Sequence, residues 1–299
     1  MARRKRGTPV DGWLIVDKPE GVTSTQVVGR ARWAFNAAKA GHAGTLDPLA
    51  TGLLAVAFGE ATKTVPYAQH GLKTYRFTAR WGEATTTDDR EGEICERSDR
   101  RPDRAAIEAV LAGFIGEIMQ RPPIFSAIKV DGARAYDLAR RGDDVTLAAR
   151  PIHVERLTLL ETPNPDTAIF EMVCGKGGYV RSMARDLGGS LGTCAHVTAL
   201  RRLASGGFTL DGAAAFADLE TFRDDAGANA RLLPVSAGLS GLRRVEVDAT
   251  TAQRIGAGDT AAAPYLDAPA YWVSLAGAPV AILGAENGVA RIRRVFRFA

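Results

Sequence analysis

Cysteine is scarce in this chain of 299 residues: Cys95, Cys174 and Cys194 are odd in number and show no metal-type spacing. That argues against a disulfide framework and suits a reducing compartment. Long apolar runs are missing too. The longest, Leu53-Leu54-Ala55-Val56-Ala57-Phe58, has the length of a buried strand, far below the roughly 20 residues a membrane-spanning helix needs. The basic start Arg3-Arg4-Lys5-Arg6 runs into Gly7, Thr8 and Pro9 where a secretory signal would place an apolar region, so the expected location is the cytoplasm. No two of His42, His70, His153 and His196 have ligand spacing, and no metal site is expected. The absence of a Gly-x-Ser-x-Gly elbow and of a P-loop removes the usual support for hydrolase and NTPase readings.

What is present is an ordinary globular composition, 46% apolar and 24% charged, so a sizeable core is expected. The length allows one large domain and a small one, or two of similar size. The net charge of +4 is modest, but basic residues cluster at Arg3 to Arg6, Arg140-Arg141, Arg201-Arg202, Arg243-Arg244 and Arg291 to Arg297. Each cluster alone reads as a solvated face. Spread along the chain, they favour an extended polyanion as partner.

Trp13-Leu14-Ile15-Val16 predicts a short strand ending at the turn Asp17-Lys18-Pro19-Glu20-Gly21. Thr23 or Ser24 can cap a helix that presents Val27, Val28, Ala31, Ala34 and Phe35 on one face. A glycine-rich loop, Gly41 to Gly52, precedes the apolar strand Leu53 to Phe58. Tyr75 to Trp81 alternates as a strand with one wet face, and Ile107, Val110, Leu111 and Phe114 mark a helix. Ser126 to Val130 predicts a strand, and Tyr136 to Arg141 a helical turn or two, within a basic excursion over about Gln120 to Arg150. Strands are expected at Ile152 to Leu160 and Ala168 to Cys174, and a helix from Tyr179 to about Leu191. After Gly241 only short β-like pieces follow. A boundary near Ser240 divides a large domain, 1–240, from a small β-rich module, 241–299, too small to be stable without docking or good packing.

Two segments stand out as sites. In Gly41-His42-Ala43-Gly44-Thr45-Leu46-Asp47-Pro48, glycines and a proline fix an irregular loop between a helix and a buried strand. Asp47 there is either the cap of a following helix or a catalytic carboxylate on a scaffolded loop. Tyr179-Val180-Arg181 follows the turn Gly175-Lys176-Gly177-Gly178, which lacks the spacing of a dinucleotide fingerprint. It reads as a helix start, a phosphate cradle, or an arginine placed to keep a carboxylate ionised.

These and further segments resemble one family, the TruB-type tRNA pseudouridine synthases. The resemblance rests on Trp13-Leu14-Ile15-Val16-Asp17-Lys18-Pro19, Gly41 to Gly52, Lys73-Thr74-Tyr75-Arg76, Pro123-Ile124-Phe125-Ser126-Ala127-Ile128-Lys129, Lys176-Gly177-Gly178-Tyr179-Val180-Arg181 and His196-Val197-Thr198-Ala199-Leu200-Arg201-Arg202. They occur in the family's order across roughly residues 12 to 210. The resemblance implies an enzyme that isomerises uridine 55 in the T-loop of tRNA. It implies a mixed α/β (α+β) catalytic core with a long mixed sheet, and a C-terminal PUA-type β-barrel that binds RNA. By the same resemblance Asp47 is the catalytic aspartate, Tyr75 the active-site tyrosine and Arg181 the arginine that pairs the aspartate. His42 would engage the opened T-loop and Leu200 the target base, while Lys18, Asp89 and Tyr179 would serve substrate binding.

The implied reaction breaks the N1–C1′ bond, rotates the uracil, joins C5 to C1′ and removes the C5 proton. Nothing is oxidised and no group is gained, so neither cofactor nor metal is required. An ionised carboxylate serves either as nucleophile at C1′ or as base at C2′, and Tyr75 can stack on the base and take part in moving the C5 proton. The uridine must first be flipped out, at a cost of a few kcal/mol that phosphate contacts offset. Some positions depart from the family's pattern: Ala43 stands where threonine is common and Thr86 where aspartate is frequent, which leaves Asp89 as the acid matching a substrate contact. With no apolar interface stripe, a monomer is expected. The alternatives are a non-catalytic RNA binder on the same scaffold, the same chemistry on ribosomal RNA and, more remotely, a small-molecule hydrolase. An aimed carboxylate weighs against the first, and the short basic start against the second.

Overall fold

The computed structural model describes residues 7–126, 128–130, 133, 134, 136, 141, 147–225 and 227–298. The chain divides into two compact units. The first is the described part of Met1–Pro48, Gly52–Gly71 and Ser205–Ala299, and the second the described part of Leu49–Thr51 and Leu72–Ala204.

In the first unit, strand β1 (Gly12–Lys18) pairs antiparallel with β3 (Thr51–Phe58), and β2 (Ala40–His42) pairs with the far end of β3. The short β14 (Ala214–Ala215) lies parallel to β1 on its other side, so this part of the sheet is mixed. Alternate side chains of a strand point to opposite faces, and here both faces are covered. Leu14, Val16, Leu54, Val56 and Phe58 meet Val27 and Ala31 of the helix Ser24–Ala34, together with Phe35 and Phe222. Trp13, Ile15, Leu53, Ala55 and Ala57 face a second cluster with Phe208, Val235 and Leu239. Burial on two sides explains why Leu53 to Phe58 is apolar without alternation. Thr23, not Ser24, caps the helix, through a capping box with Gln26.

The C-terminal segment forms a separate four-stranded sheet in the order β15 (Arg243–Glu246), β16 (Tyr271–Leu275), β17 (Ala278–Glu286), β18 (Val289–Val295). Tyr271, Val273, Ala281 and Leu283 build its own small core with Ile255. Trp272, Ile282 and Phe296 instead join the Trp13 cluster. The sheet is also fastened at its end: Lys63 Nζ donates to the Val295 carbonyl at 2.9 Å, and the Arg297 N–H to Glu60 Oε2 at 2.7 Å. A module of this size docks because its own core is small. The expectation of β-like pieces alone needs correcting. Asp248 caps a helix, Ala249–Gly256, between the parallel strands β15 and β16. Its Thr250, Thr251 and Gly256 are poor helix formers, and the buried Ala252 and Ile255 hold it through packing.

The second unit carries strands in the order β12 (Ala195–Ser205), β4 (Lys73–Trp81), β11 (Thr167–Cys174), β10 (Arg150–Asn164), β7 (Gly116–Gln120). The β4–β11, β11–β10 and β10–β7 pairs are antiparallel. Phe77 and Phe170 stack with centroids 5.2 Å apart, and Trp81 meets Phe170 edge-on. A hairpin of β5 (Glu83–Thr85) and β6 (Ile94–Arg97) precedes the helix Arg104–Leu111. The helix Val180–Ser190 connects β11 to β12. Two small strands, β8 (Lys129–Val130) and β9 (Ala133–Arg134), form a hairpin in the expected excursion, and β13 (Phe208–Thr209) follows β12. The expected helical turn at Tyr136 to Arg141 and residues 142–146 fall largely outside the described residues. Within the described residues no helix is long and apolar enough to cross a membrane.

Gly238 packs so closely on the sheet of the first unit that a Cβ there would lie 2.7 Å from the Trp13 ring and against the Thr64 hydroxyl. Gly238→Ala should therefore destabilise the chain by about 1–3 kcal/mol through overpacking. This reads out as a lower urea midpoint with an unchanged slope.

Candidate active site

The Asp47 loop begins where β2 ends. His42 pairs with Val56, and the Ala43 N–H donates to the Ala55 carbonyl at 3.0 Å. Beyond Ala43 the chain leaves regular structure, with Gly44 at φ +106° and Gly52 at φ +96°, a region open to glycine at little cost. No helix follows Asp47; residues 48–50 turn directly into β3. The helix-cap reading of Asp47 therefore falls away.

The loop is held from the end of β1 and the start of the first helix. Lys18 is fully buried, and its Nζ donates to the carbonyls of Pro19 at 2.9 Å, Val22 at 2.6 Å and Pro48 at 3.1 Å. The Gly21 N–H reaches the same Pro48 carbonyl at 2.8 Å. On the other side of Asp47, the Ser24 hydroxyl accepts from the Leu46 N–H at 2.8 Å and donates to the Leu46 carbonyl at 3.0 Å. A buried ammonium is costly unless strongly hydrogen-bonded, and Lys18 meets that condition with main-chain dipoles. Asp47 itself is half-buried.

In the second unit Arg181 lies in the first turn of the helix Val180–Ser190 and is buried. Its Nη1 donates to the Thr87 carbonyl at 3.0 Å, its Nη2 to the Phe125 carbonyl at 2.9 Å, and Asp89 Oδ2 lies 3.5 Å from Nη1. Asp89, also buried, accepts from the Thr87 hydroxyl at 2.6 Å and the Glu91 N–H at 3.0 Å. Asp88, at φ +60°, pairs with Arg185 at 2.8 Å. Burial nevertheless raises its carboxyl pKa, the arginines opposing. Tyr179 is fixed by its main chain. Its N–H donates to Gln120 Oε1 at 2.8 Å and its carbonyl accepts from Gln120 Nε2 at 3.1 Å. Tyr75 stands half-buried on β4 opposite Met172, and Leu200 is buried on the neighbouring β12. The structure thus gathers Arg181 and Asp89 with the carbonyls of Thr87 and Phe125, and sets Asp47 on a loop that leaves β2 at His42 and is clamped by Lys18 from the end of β1. Reading along the chain overlooked Gln120, Thr87 and Arg185, whose contacts with the Tyr179 main chain, with Asp89 and Arg181, and with Asp88 leave no motif. It weighed Ser24 only as a helix cap.

The family model described as the TruB family pseudouridylate synthase N-terminal domain matches residues 32–180, and the tRNA pseudouridylate synthase B C-terminal domain matches residues 181–240. The chain belongs to this family of pseudouridylate synthases. It is 49% identical to the tRNA pseudouridine synthase B of Dinoroseobacter shibae and 50% identical to that of Ruegeria pomeroyi, over 99% of each chain in both cases. The protein of the same name from Paracoccus denitrificans is 56% identical over 84% of each. Among solved structures, a chain in the crystal structure of a Cbf5-Nop10-Gar1 complex superposes with a TM-score of 0.76 at 23% identity, covering 100% of this chain and 92% of that one. One in the archaeal box H/ACA sRNP Nop10-Cbf5 complex gives 0.74 at 21%, covering 100% and 93%. These likenesses show the fold: a mixed α/β pseudouridine synthase fold with a large mixed sheet.

Lys73 at the start of β4 is buried opposite Cys174. Desolvation lowers its pKa to about 8, with Arg202 and Lys176 adding to the effect and Cys174 opposing it. The folded pKa lies below the unfolded value, so the unfolded chain holds the extra proton above about pH 8, and this group makes stability rise with pH there. Burial pushes the Cys174 thiol up to about 12, which opposes the trend above about pH 9. Between pH 7 and 9, wild-type unfolding free energy should climb relative to Lys73→Met, by at most about 1.4 kcal/mol per pH unit. Parallel denaturation curves at all pH values would rule the assignment out.

Proposed function

We propose that the chain isomerises uridine 55 in the T-loop of tRNA to pseudouridine, with Asp47 as the catalytic carboxylate. The observation that carries the reading is identity of about 50% over 99% of both chains to relatives each named tRNA pseudouridine synthase B. The geometry of the Asp47 loop supports the residue assignment: a short carboxylate on an irregular loop, tied on both sides by buried donors and capping no helix. Immobilising a reacting group in this way lowers the entropic part of a barrier.

In this reading the T-arm stem-loop is the partner and the target uridine is flipped out of the loop before it reacts, as enzymes acting on a base require. Asp47 acts at C1′ as nucleophile or at C2′ as base. Tyr75 stacks on the uracil and helps move the C5 proton. Arg181 supplies the guanidinium that the resemblance pairs with the carboxylate, and its buried carbonyl contacts limit the orientations it can take. His42, Leu200, Lys18, Asp89 and Tyr179 serve substrate binding. For Lys18 the contacts with Pro19, Val22 and Pro48 favour a role in shaping the loop. No cofactor enters a reaction that neither oxidises the base nor adds to it. The catalytic domain spans 1–240, with an RNA-gripping insertion at about 120–150. The C-terminal module, 241–299, is a PUA-type RNA-binding domain whose exposed Arg243, Arg291, Arg293 and Arg294 suit phosphate contacts. The protein works as a monomer in the cytoplasm.

Incubation of a T-arm stem-loop RNA with the protein, followed by chemical mapping of pseudouridine, tests this. Wild type should modify one uridine. Asp47→Asn should reduce turnover by at least about 10³-fold, the scale expected for loss of a reacting group, while RNA binding persists. Full activity of Asp47→Asn would remove the mechanism, and modification of a different RNA alone would remove the substrate assignment.

A further inference from the structure

We propose that Ser24 is a positioning residue for the reaction, fixing the main chain ahead of Asp47 so that the carboxylate is presented in one orientation. This rests on the reading of Asp47 as the catalytic group. Ser24 lies in the first turn of the helix Ser24–Ala34, but the capping work there belongs to its neighbour. The Thr23 hydroxyl accepts from the Gln26 N–H at 3.2 Å, and Gln26 Oε1 accepts from the Thr23 N–H at 2.8 Å. Ser24 is thereby free to turn its hydroxyl to the loop. Only 3% of the residue is exposed, and its single oxygen serves both main-chain groups of Leu46, accepting from the N–H at 2.8 Å and donating to the carbonyl at 3.0 Å.

Two bonds from one hydroxyl to the same residue hold it in place and in rotation, much as a residue of a neighbouring strand would. The held carbonyl belongs to the peptide joining Leu46 to Asp47, while Gly21 and Lys18 hold the carbonyl of Pro48. The carboxylate therefore stands between two anchored peptides, in a loop whose Gly44 backbone would not immobilise it. Leu46 is itself buried, 4% exposed, so water cannot readily replace a lost hydroxyl. Sequence reading cannot separate this role from helix capping, because Thr-Ser offers two adjacent residues of equal capping aptitude.

The test compares Ser24→Ala, Ser24→Cys and Ser24→Thr with wild type on a T-arm stem-loop RNA, measuring the single-turnover rate constant and RNA Kd separately below every variant's Tm. Cysteine keeps the size of serine but hydrogen-bonds weakly, whereas threonine keeps the hydroxyl. Ala and Cys should slow turnover by about 10- to 100-fold, the scale of a small displacement of a reacting group, with Kd within about twofold. Thr should recover most of the rate. Ile107→Ala, a buried change in the second unit and outside the cluster that packs the helix of Ser24, should lower Tm and leave the rate unchanged. The proposal is overturned if Ser24→Ala turns over like wild type, if Thr is no better than Cys, or if Ile107→Ala loses rate equally. Should Ser24→Ala not fold, the Cys and Thr pair decides. Asp47→Asn run alongside separates the two readings. If it is active, the role of Asp47 fails; if it is dead while Ser24→Ala and Ser24→Cys are unimpaired, only the role of Ser24 fails.

Discussion

An irregular segment that enters a protein interior must find partners for every peptide group it carries, since an unpaired buried N–H or carbonyl costs about as much as a lost hydrogen bond. At Leu46 and Pro48 the Asp47 loop meets that demand largely with side chains. Lys18 spends a fully buried ammonium on three carbonyls, and Ser24 spends a hydroxyl on both groups of Leu46. The strand β1 and its helix exist partly to deliver these two groups. Their own stability comes from the two-faced packing of Trp13 to Val16 and Leu53 to Phe58. Stabilisation thus flows from apolar burial to a polar clamp, and from the clamp to the main chain on either side of Asp47.

The second unit solves a similar problem with guanidinium groups. Arg181 and Arg185 leave one helix to collect carbonyls from Thr87, Phe125 and Arg121, and acids from the adjacent pair Asp88-Asp89. The planar fork of arginine reaches two carbonyls at once, which an ammonium on a flexible stem would do less rigidly. Tyr179, the residue before this helix, is held at both main-chain groups by Gln120. Burying these carboxyl groups carries a cost: desolvation raises the pKa of Asp88 and of Asp186, and the nearby arginines oppose it.

Elements whose sequence carried its own period were legible in advance. The strands at Trp13, Leu53, Tyr75, Ile152 and Ala168 and the helices near Val27, Ile107 and Tyr179 stand within a few residues of expectation. The strand Ala195–Ser205 was recognised only as a family segment, because its burial does not alternate cleanly and it contains Arg201-Arg202. That pair reads as a solvated face, yet Arg202 is 1% exposed. Adjacent residues on a strand face opposite ways, and burial of a charge is decided by its neighbours in space. The helix Ala249–Gly256 escaped notice for a related reason, since packing of Ala252 and Ile255 outweighs weak propensity.

By itself the sequence determined the irregularity of the Asp47 loop, through its glycines and proline, and the apolar strands that flank it. Through ordered resemblance it also determined the family. Only the tertiary structure decided that Thr23 caps the helix while Ser24 and Lys18 hold the loop, that Arg181 is anchored by two carbonyls beside Asp89, and that the last sheet shares its core with Trp13. Serine, lysine and arginine are polar wherever they occur, and their local pattern says nothing of which distant peptide they will meet. That choice is made by the requirement that buried polar groups be paired, and it can be read only once the chain has folded.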